Sequence, residues 1–286
     1  MAERINFNLG GRTIGDGQPC FVIAEIGSNH NKDFDLARRL MDEAAKAGAD
    51  AVKFQTFSAE AHYSKLTPGF SYLDNVSTFE LIQSLEIDRS WHGRLKDHAE
   101  GLGMEFFSSP CDADAVRDLA AIGSCAYKVA SFDLPDTELI TLMAETGKPV
   151  ILSTGMADGD DIRRAIAACR EVGNDRVVLL QCTSLYPAPA RLSNLRAMQK
   201  MREEHGVLCG YSDHTTGDHM ALAAAALGAC MIEKHFTLDR QLPGPDHGFS
   251  IEPGELAQLI AKLREVEDGL GDGQKDGPRP EESEMF

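Results

Sequence analysis

A carboxylate and an imidazole stand close together in a segment whose other residues predict a buried β-strand. The segment is CMIEKHFTLDR at residues 230–240, and it follows an Ala- and Gly-rich run. Because side chains alternate across a strand, Met231, Glu233 and His235 share one face. Burying a neutral polar group without a partner costs on the order of 2–7 kcal/mol, and burying a charge costs more. We therefore expect polar groups or a ligand to lie opposite Glu233 and His235.

Seven other short apolar segments also end in polar side chains. They read PCFVIAEIGSNH, DAVKFQTF, MEFFSSP, CAYKVAS, PVILSTG, RVVLLQCT and VLCGYSDH. The polar residues in these segments or just after them are Glu25, Lys53, Gln55, Ser108, Ser109, Lys128, Ser131, Ser153, Thr154, Thr183, Ser184, Tyr186, Ser212, Asp213 and His214. A serine at the end of a strand is often only the N-cap of the next helix, so each serine also has a purely structural interpretation.

Two lysines lie inside these apolar segments, Lys53 in AVKF and Lys128 in AYKVAS. Lysine is almost never fully buried without a partner. The partner is either an acid such as Glu25 or a bound anion. In the second case, two lysines and several hydroxyl groups would form a phosphate-binding site.

Two histidines at strand ends, His214 and His235, have acids beside them. A single histidine of this kind is usually a hydrogen-bonded core residue, whereas a pair on adjacent strand ends favours a metal site. Nitrogen and oxygen ligands suit Mn²⁺ first, with Mg²⁺ or Co²⁺ as alternatives. Two protein ligands would leave coordination positions open for catalysis.

These residues must be positioned by a repeated unit, because each of the eight apolar segments is followed by a helical pattern. Residues 33–48, for example, carry apolar side chains at a 3.6-residue period and end at Gly48. Residues 58–77 instead predict a long loop. Eight such units in about 250 residues favour a (β/α)₈ TIM barrel, with an open doubly wound sheet as the alternative. In a barrel, the polar strand ends would converge on one cavity.

The chain divides into three predicted parts. Residues 1–18 contain INFNLGGRTIG, which predicts a β-hairpin with a Gly-Gly turn capping the barrel. Residues 19–270 form the predicted catalytic barrel. Residues 271–286 are rich in Gly, Pro and Glu, which predicts a linker-like or disordered tail.

Composition limits the classes of partner and compartment. The net charge of −17 argues against nucleic-acid or anionic-membrane partners. Seven scattered cysteines without a CxxC pair suit a reducing cytoplasm rather than a disulfide framework. There is no signal-peptide pattern and no apolar run of about 18 residues. We therefore expect a cytoplasmic protein.

Nine motifs together resemble the sialic acid synthase family, which includes the N-acetylneuraminate and pseudaminic acid synthases. They are VIAEIGSNHN, VKFQTF, FSSP, YKVAS, ILSTGM, LQCTSLYPAP, GYSDHT, LGACMIEKHFTLD and GPDHGFSIEP. The resemblance implies a metal-dependent barrel that condenses phosphoenolpyruvate with an N-acyl amino sugar and releases phosphate. The acceptor would be N-acetylmannosamine or a 6-deoxy-diacetamido hexose.

The resemblance also implies roles for individual residues. Phosphoenolpyruvate would be bound by Lys53, Ser109, Lys128, Ser131, Ser153, Ser184 and Ser212. The metal would be bound by His214 and His235. The residues around the sugar and the reacting carbons would be Glu25, Asp133, Tyr186, Glu233 and Asp246.

The sequence departs from this family in two places. The family carries a C-terminal antifreeze-like domain, which reaches the partner's site in a homodimer; we expect that domain to be absent here, so the homodimer is a weaker expectation. The Phe132–Asp133 pair resembles the pseudaminic branch more than the Gly-Glu of the sialic acid branch. Two alternatives stay open: another phosphoenolpyruvate-dependent aldol synthase making a different 2-keto sugar acid, and a non-catalytic sugar-binding barrel.

Overall fold

Within the part of the chain that the structure describes, eight parallel strands form a closed barrel. The computed structural model describes residues 4–69, 77–275 and 277–285. An antiparallel hairpin precedes the barrel and consists of β1 (Asn6–Leu9) and β2 (Arg12–Gly15). The barrel strands are β3 (Phe21–Gly27), β4 (Ala51–Thr56), β5 (Glu105–Pro110), β6 (Tyr127–Val129), β7 (Val150–Ser153), β8 (Val177–Cys182), β9 (Leu208–Asp213) and β10 (Met231–His235). Because β10 pairs with both β9 and β3, the sheet closes, which confirms the predicted barrel and excludes the open sheet.

Helices surround the barrel and connect its strands. They are α1 (Phe34–Ala47), α2 (Ala59–His62), α3 (Thr78–Leu85), α4 (His92–Gly101), α5 (Ala113–Ala121), α6 (Thr137–Glu145), α7 (Gly159–Glu171), α8 (Arg196–His205), α9 (His219–Ala226) and α10 (Pro253–Leu270). The side chain of Asp33 caps α1, and Gly48 ends it in the left-handed region at φ 90°. No described helix combines the length and the apolar character that crossing a membrane requires.

Alternation along each strand produces two apolar layers. In β3, Val22, Ala24 and Ile26 face the surrounding helices, whereas Phe21 and Ile23 face the barrel interior. The interior layer also contains the hairpin residues Leu9 and Ile14, so the hairpin packs against the amino-terminal end of the barrel. The opposite end is therefore left for polar groups.

The segment after β4 differs from the predicted loop at residues 58–77. It contains α2, whose first turn is held by a hydrogen bond from Ala61 N to Ser58 Oγ and another from Ala59 N to Glu86 Oε1 (2.7 Å). A helix of four residues is too short to show a period, and its cap partner Glu86 is distant in sequence. Residues 70–76 of the predicted loop lie outside the described residues.

Candidate functional site

A buried polar layer lies above the apolar interior of the barrel, at the carboxyl ends of the strands. On β10, Met231 packs in the apolar layer below, whereas Glu233 and His235 lie above it. Other predicted site residues occupy the same inward positions on neighbouring strands and are also buried: Glu25, Lys53, Ser109, Lys128, Ser153 and Ser212. These side chains are the polar groups that the sequence predicted to lie opposite Glu233 and His235.

Not every polar strand-end residue faces this cavity, although the sequence predicted convergence for all of them. Asp213 lies on the outer face of β9 and pairs with Lys234 of β10 at 2.8 Å. Ser108 lies on the outer face of β5 and is hydrogen-bonded to Thr56 at 2.8 Å. Strict alternation explains both exceptions, because each is the immediate neighbour of an inward residue.

Two lysines and two glutamates form a charge network in the cavity. The Nζ atom of Lys53 lies 2.9 Å from Glu25 Oε1, 3.7 Å from Glu233 Oε2 and 3.2 Å from Ser109 Oγ. Lys128 Nζ lies 3.7 Å from Glu233 Oε1 and donates to Ser153 Oγ at 2.6 Å. Both lysines therefore have acidic partners, one of the two arrangements that the sequence left open. Their binding of an anion stays a prediction.

The two glutamates differ in proton affinity although they share one cavity. Burial raises the pKa of Glu25 to about 7, and Lys53 offsets only part of that effect. Burial would also raise the pKa of Glu233, but Lys128 and Lys53 together hold it below its usual value. Such a divergence gives a pair in which Glu25 can exchange a proton near neutral pH while Glu233 stays ionised.

The two predicted metal ligands are brought together. The rings of His214 and His235 are 5.4 Å apart between centroids. Nδ1 of His214 must donate to the carbonyl oxygen of Thr183 (2.8 Å), so Nε2, which lies 3.4 Å from Ser212 Oγ, is the nitrogen that could bind a metal in the neutral ring. Nδ1 of His235 is buried and has no hydrogen-bond partner among the described residues. These nitrogen donors fit a divalent metal ion, with oxygen ligands completing the set.

The described residues contain no group of three or more His, Cys, Asp and Glu side chains arranged to hold a metal. Binding of a metal by His214 and His235 stays a prediction. Asp246 is the nearest acid, with Oδ2 at 3.6 Å from His235 Nδ1, and burial raises its pKa to about 6.

Gly155, which the sequence analysis did not single out, allows two hydroxyl groups to converge. Its amide donates to Ser131 Oγ at 3.1 Å, and the nearby Ser184 Oγ is buried without a hydrogen-bond partner in the described structure. A Cβ atom at this position would lie 2.4 Å from Ser184 Oγ and 2.7 Å from Ser131 Oγ. Because Gly155 has no Cβ atom, the hydroxyl groups of Ser131 and Ser184 can both approach its backbone. We call the recess formed by these three residues the cradle. The motif ILSTGM, where a glycine follows a strand end, was the available signal.

The remaining predicted residues lie around the cavity in two places. The ring of Tyr186 is 4.3 Å from that of His214 and 5.3 Å from that of Phe249. Asp133 lies elsewhere, in a 3₁₀ turn directly after β6, where Oδ1 contacts His62 Nε2 at 2.9 Å. His62 was missed by the sequence analysis because it belongs to α2, in the segment that predicted a loop.

Comparison with known proteins identifies a family whose sequences this chain matches. The model of the NeuB family matches residues 40–275. The N,N'-diacetyllegionaminic acid synthase of Campylobacter jejuni is 40% identical over 271 residues, covering 92% of this chain and 81% of that protein. The N-acetylneuraminate-9-phosphate synthase of Mus musculus is 36% identical over 270 residues, covering 93% and 75%.

A solved structure agrees with these sequence matches. The N-acetylneuraminic acid (sialic acid) synthetase of Leptospira borgpetersenii, in complex with citrate, superposes with a TM-score of 0.88 at 35% identity. The match covers 99% of this chain and 95% of that one. Because the family model spans most of the sequence and the relatives cover nearly all of it, the chain belongs to the NeuB family.

Proposed function

We propose that the protein condenses phosphoenolpyruvate with an N-acyl amino sugar and releases inorganic phosphate. The product would be a nonulosonic acid, a nine-carbon 2-keto acid of the sialic acid type. The observation that carries this proposal is the buried network of two lysines, two glutamates and several serines at the barrel mouth, next to two histidines. The names of the relatives, which are synthases of such acids, support it.

The cations and hydroxyl groups suit a small, dense anion. Phosphoenolpyruvate carries a phosphate and a carboxylate, and charge-assisted hydrogen bonds from lysine ammonium groups are the strong contacts for both. Lys53 and Lys128 lie in the cavity with Ser109 and Ser153, and the cradle at Gly155 adds further donors. The protein is acidic overall, and these two buried lysines supply the cations that an anionic substrate would contact.

The reaction forms one carbon–carbon bond and consumes one water. C3 of phosphoenolpyruvate attacks the aldehyde carbon of the sugar, and the aldehyde oxygen takes up a proton. Water adds at C2 and loses a proton, the bond between C2 and the phosphate oxygen breaks, and the 2-keto group forms. Glu25 is the group proposed to hold and transfer a proton, because its pKa of about 7 is matched to that task.

A divalent metal held by His214 and His235 would polarise the aldehyde oxygen when bound, and Mn²⁺ suits these donors best. The chain's own residues then orient the acceptor. Tyr186 and Asp246 flank the histidines, and Asp133 lies on another part of the rim. We expect these three side chains to contact the sugar.

The experiment is a panel of aldehyde sugars assayed for phosphate release from phosphoenolpyruvate in the presence of Mn²⁺. The panel contains N-acetylmannosamine, a 6-deoxy-diacetamido hexose, mannose and a pentose phosphate. The proposal expects an N-acyl amino sugar to give the highest kcat/KM. Preference for the pentose phosphate would favour the alternative of another phosphoenolpyruvate-dependent aldol synthase, one that makes an eight-carbon 2-keto sugar acid. No turnover with any acceptor would favour the non-catalytic sugar-binding barrel.

A further inference from the structure

His62 and Asp133 form a polar pair that bridges two loops at the carboxyl end of the barrel. His62 is the last residue of α2, after β4, and Asp133 follows β6. Nε2 of the imidazole lies 2.9 Å from Oδ1 of the carboxylate. The pair thus spans the end of β5, which lies between the two strands.

Asp133 lies beside the cradle at Gly155. Its 3₁₀ turn begins at Ser131, whose hydroxyl accepts from Gly155 N at 3.1 Å. Asp133 itself is 8% exposed, although Phe132 beside it is 51% exposed. A carboxylate so nearly buried needs a partner. The imidazole of His62 supplies a contact to Oδ1.

The helix that carries His62 is held in place from several sides. Ser58 N donates to Cys111 Sγ at 3.2 Å, and Ala59 N donates to Glu86 Oε1 at 2.7 Å. Ala59 packs in a small apolar cluster with Phe79 and Ile82. The imidazole also stacks edge-on against the neighbouring Tyr63 ring, with centroids 4.8 Å apart. His62 is therefore presented at a fixed position.

We propose that His62 is a positioning residue that sets acceptor recognition, an inference that rests on the proposed function. An aspartate has two side-chain torsions, so a hydrogen bond to Oδ1 fixes the plane of the carboxylate and the direction of Oδ2. That second oxygen is left to accept from a hydroxyl or amide N–H group of the amino sugar. The hydrogen bond from His62 thus selects for a donor at one place on the acceptor. The contact with Asp133 raises the pKa of the His62 imidazole, burial opposes that effect, and a hydrogen bond to the Cys111 backbone adds to it, so the ring is favoured in its protonated, donating form.

The test compares His62→Phe with His62→Gln in steady-state assays that vary the acceptor and phosphoenolpyruvate separately. His62→Phe keeps the ring contact with Tyr63 and removes the donor, whereas His62→Gln keeps an N–H donor. We expect His62→Phe to raise the acceptor KM about tenfold, the usual effect of one hydrogen bond to a charged group. The KM for phosphoenolpyruvate should change less than about twofold, and His62→Gln should recover most of the acceptor affinity.

Two further variants complete the design. His98→Phe is the matched control, because His98 makes a similar contact with Asp42 (2.7 Å) between the outer helices α4 and α1. The double variant His62→Phe with Asp133→Asn should have an acceptor KM no higher than that of Asp133→Asn alone, because the two substitutions remove the same interaction. Thermal melting of each variant establishes that it is folded, and His62→Leu, which also lacks a donor, replaces His62→Phe if that variant does not fold.

Three results would overturn the inference. If the wild-type protein is active and the folded His62→Phe variant keeps the normal acceptor KM, the inference alone is overturned. The inference is also overturned if the KM values for the acceptor and for phosphoenolpyruvate rise together in His62→Phe. It is overturned as well if His98→Phe raises the acceptor KM as much as His62→Phe does. A wild-type protein that releases no phosphate with any acceptor would overturn the proposed function, and this inference with it.

Discussion

At the scale of single residues, position decides what identical side chains do. Glu25 and Glu233 share a cavity, yet burial raises the pKa of Glu25 to about 7 while two lysines keep that of Glu233 low. The residue types and most positions could be predicted, because lysines and acids in apolar strands are conspicuous. Their pairing could not, since it depends on distances across the barrel.

The lysines can be tested individually. Lys53→Ala and Lys128→Ala each remove a charge-assisted contact, worth roughly 1.5–3 kcal/mol, so the KM for phosphoenolpyruvate should rise about ten- to a hundredfold. Lys46→Ala, at an exposed position on α1, is the control and should leave the KM for phosphoenolpyruvate unchanged. If both cavity variants keep the wild-type KM, these lysines serve only to neutralise the glutamates.

Gly155 offers a test with a matched control four residues later, at Gly159, the first residue of α7. A methyl group in Gly155→Ala would collide with the hydroxyl groups of Ser131 and Ser184, so we expect the KM for phosphoenolpyruvate to rise at least about tenfold. Gly159→Ala adds the same methyl group where no atom lies within 4 Å, and it should leave the KM unchanged. Equal behaviour of the two variants would mean that the cradle does not contact the substrate.

At the scale of elements, the eight strands were predicted correctly because each is buried on both faces and forms an apolar run. The features that were predicted wrongly were a very short helix and two side chains at strand ends. The four-residue α2 has no period to detect, and Ser108 and Asp213 were assigned to the cavity although alternation turns them outward. A stricter use of the two-residue period would have corrected both assignments.

His92, the first residue of α4, links that helix to β4 and makes stability depend on pH. Its Nε2 lies 3.1 Å from Thr56 Oγ1, and burial lowers its pKa from 6.5 to about 4. The unfolded chain takes up this proton near pH 6.5, whereas the folded protein does so only near pH 4. The unfolded state therefore binds more protons between these values, and stability falls as the pH falls through this window.

Chemical denaturation between pH 7.5 and pH 4 measures this contribution. Replacing the imidazole in His92→Gln should remove up to about 3 kcal/mol of the pH-dependent loss, at roughly 1.4 kcal/mol per pKa unit. His219→Gln, at a position whose side chain is 85% exposed, is the control and should keep the wild-type pH dependence. A His92→Gln variant with an unchanged pH profile would contradict the assignment.

At the scale of the whole molecule, closure of the barrel creates the site. Glu25 on β3 and Glu233 on β10 meet because β10 pairs with β3, across more than two hundred residues of sequence. No local pattern encodes that pairing. The number of strand–helix units was the signal for closure, and the family motifs agreed with it. The hairpin fills one end of the barrel with Leu9 and Ile14, which leaves the polar end as the proposed reaction chamber.

The proposed reaction in this chamber joins phosphoenolpyruvate to an amino sugar. The most direct measurement incubates the metal-loaded protein with both substrates and quantifies phosphate and 2-keto acid in the same sample, the acid by mass spectrometry. The account predicts equal amounts of phosphate and a nine-carbon acid, loss of both with EDTA, and recovery with Mn²⁺. Phosphate without the matching acid, or full turnover in metal-free buffer, would contradict it.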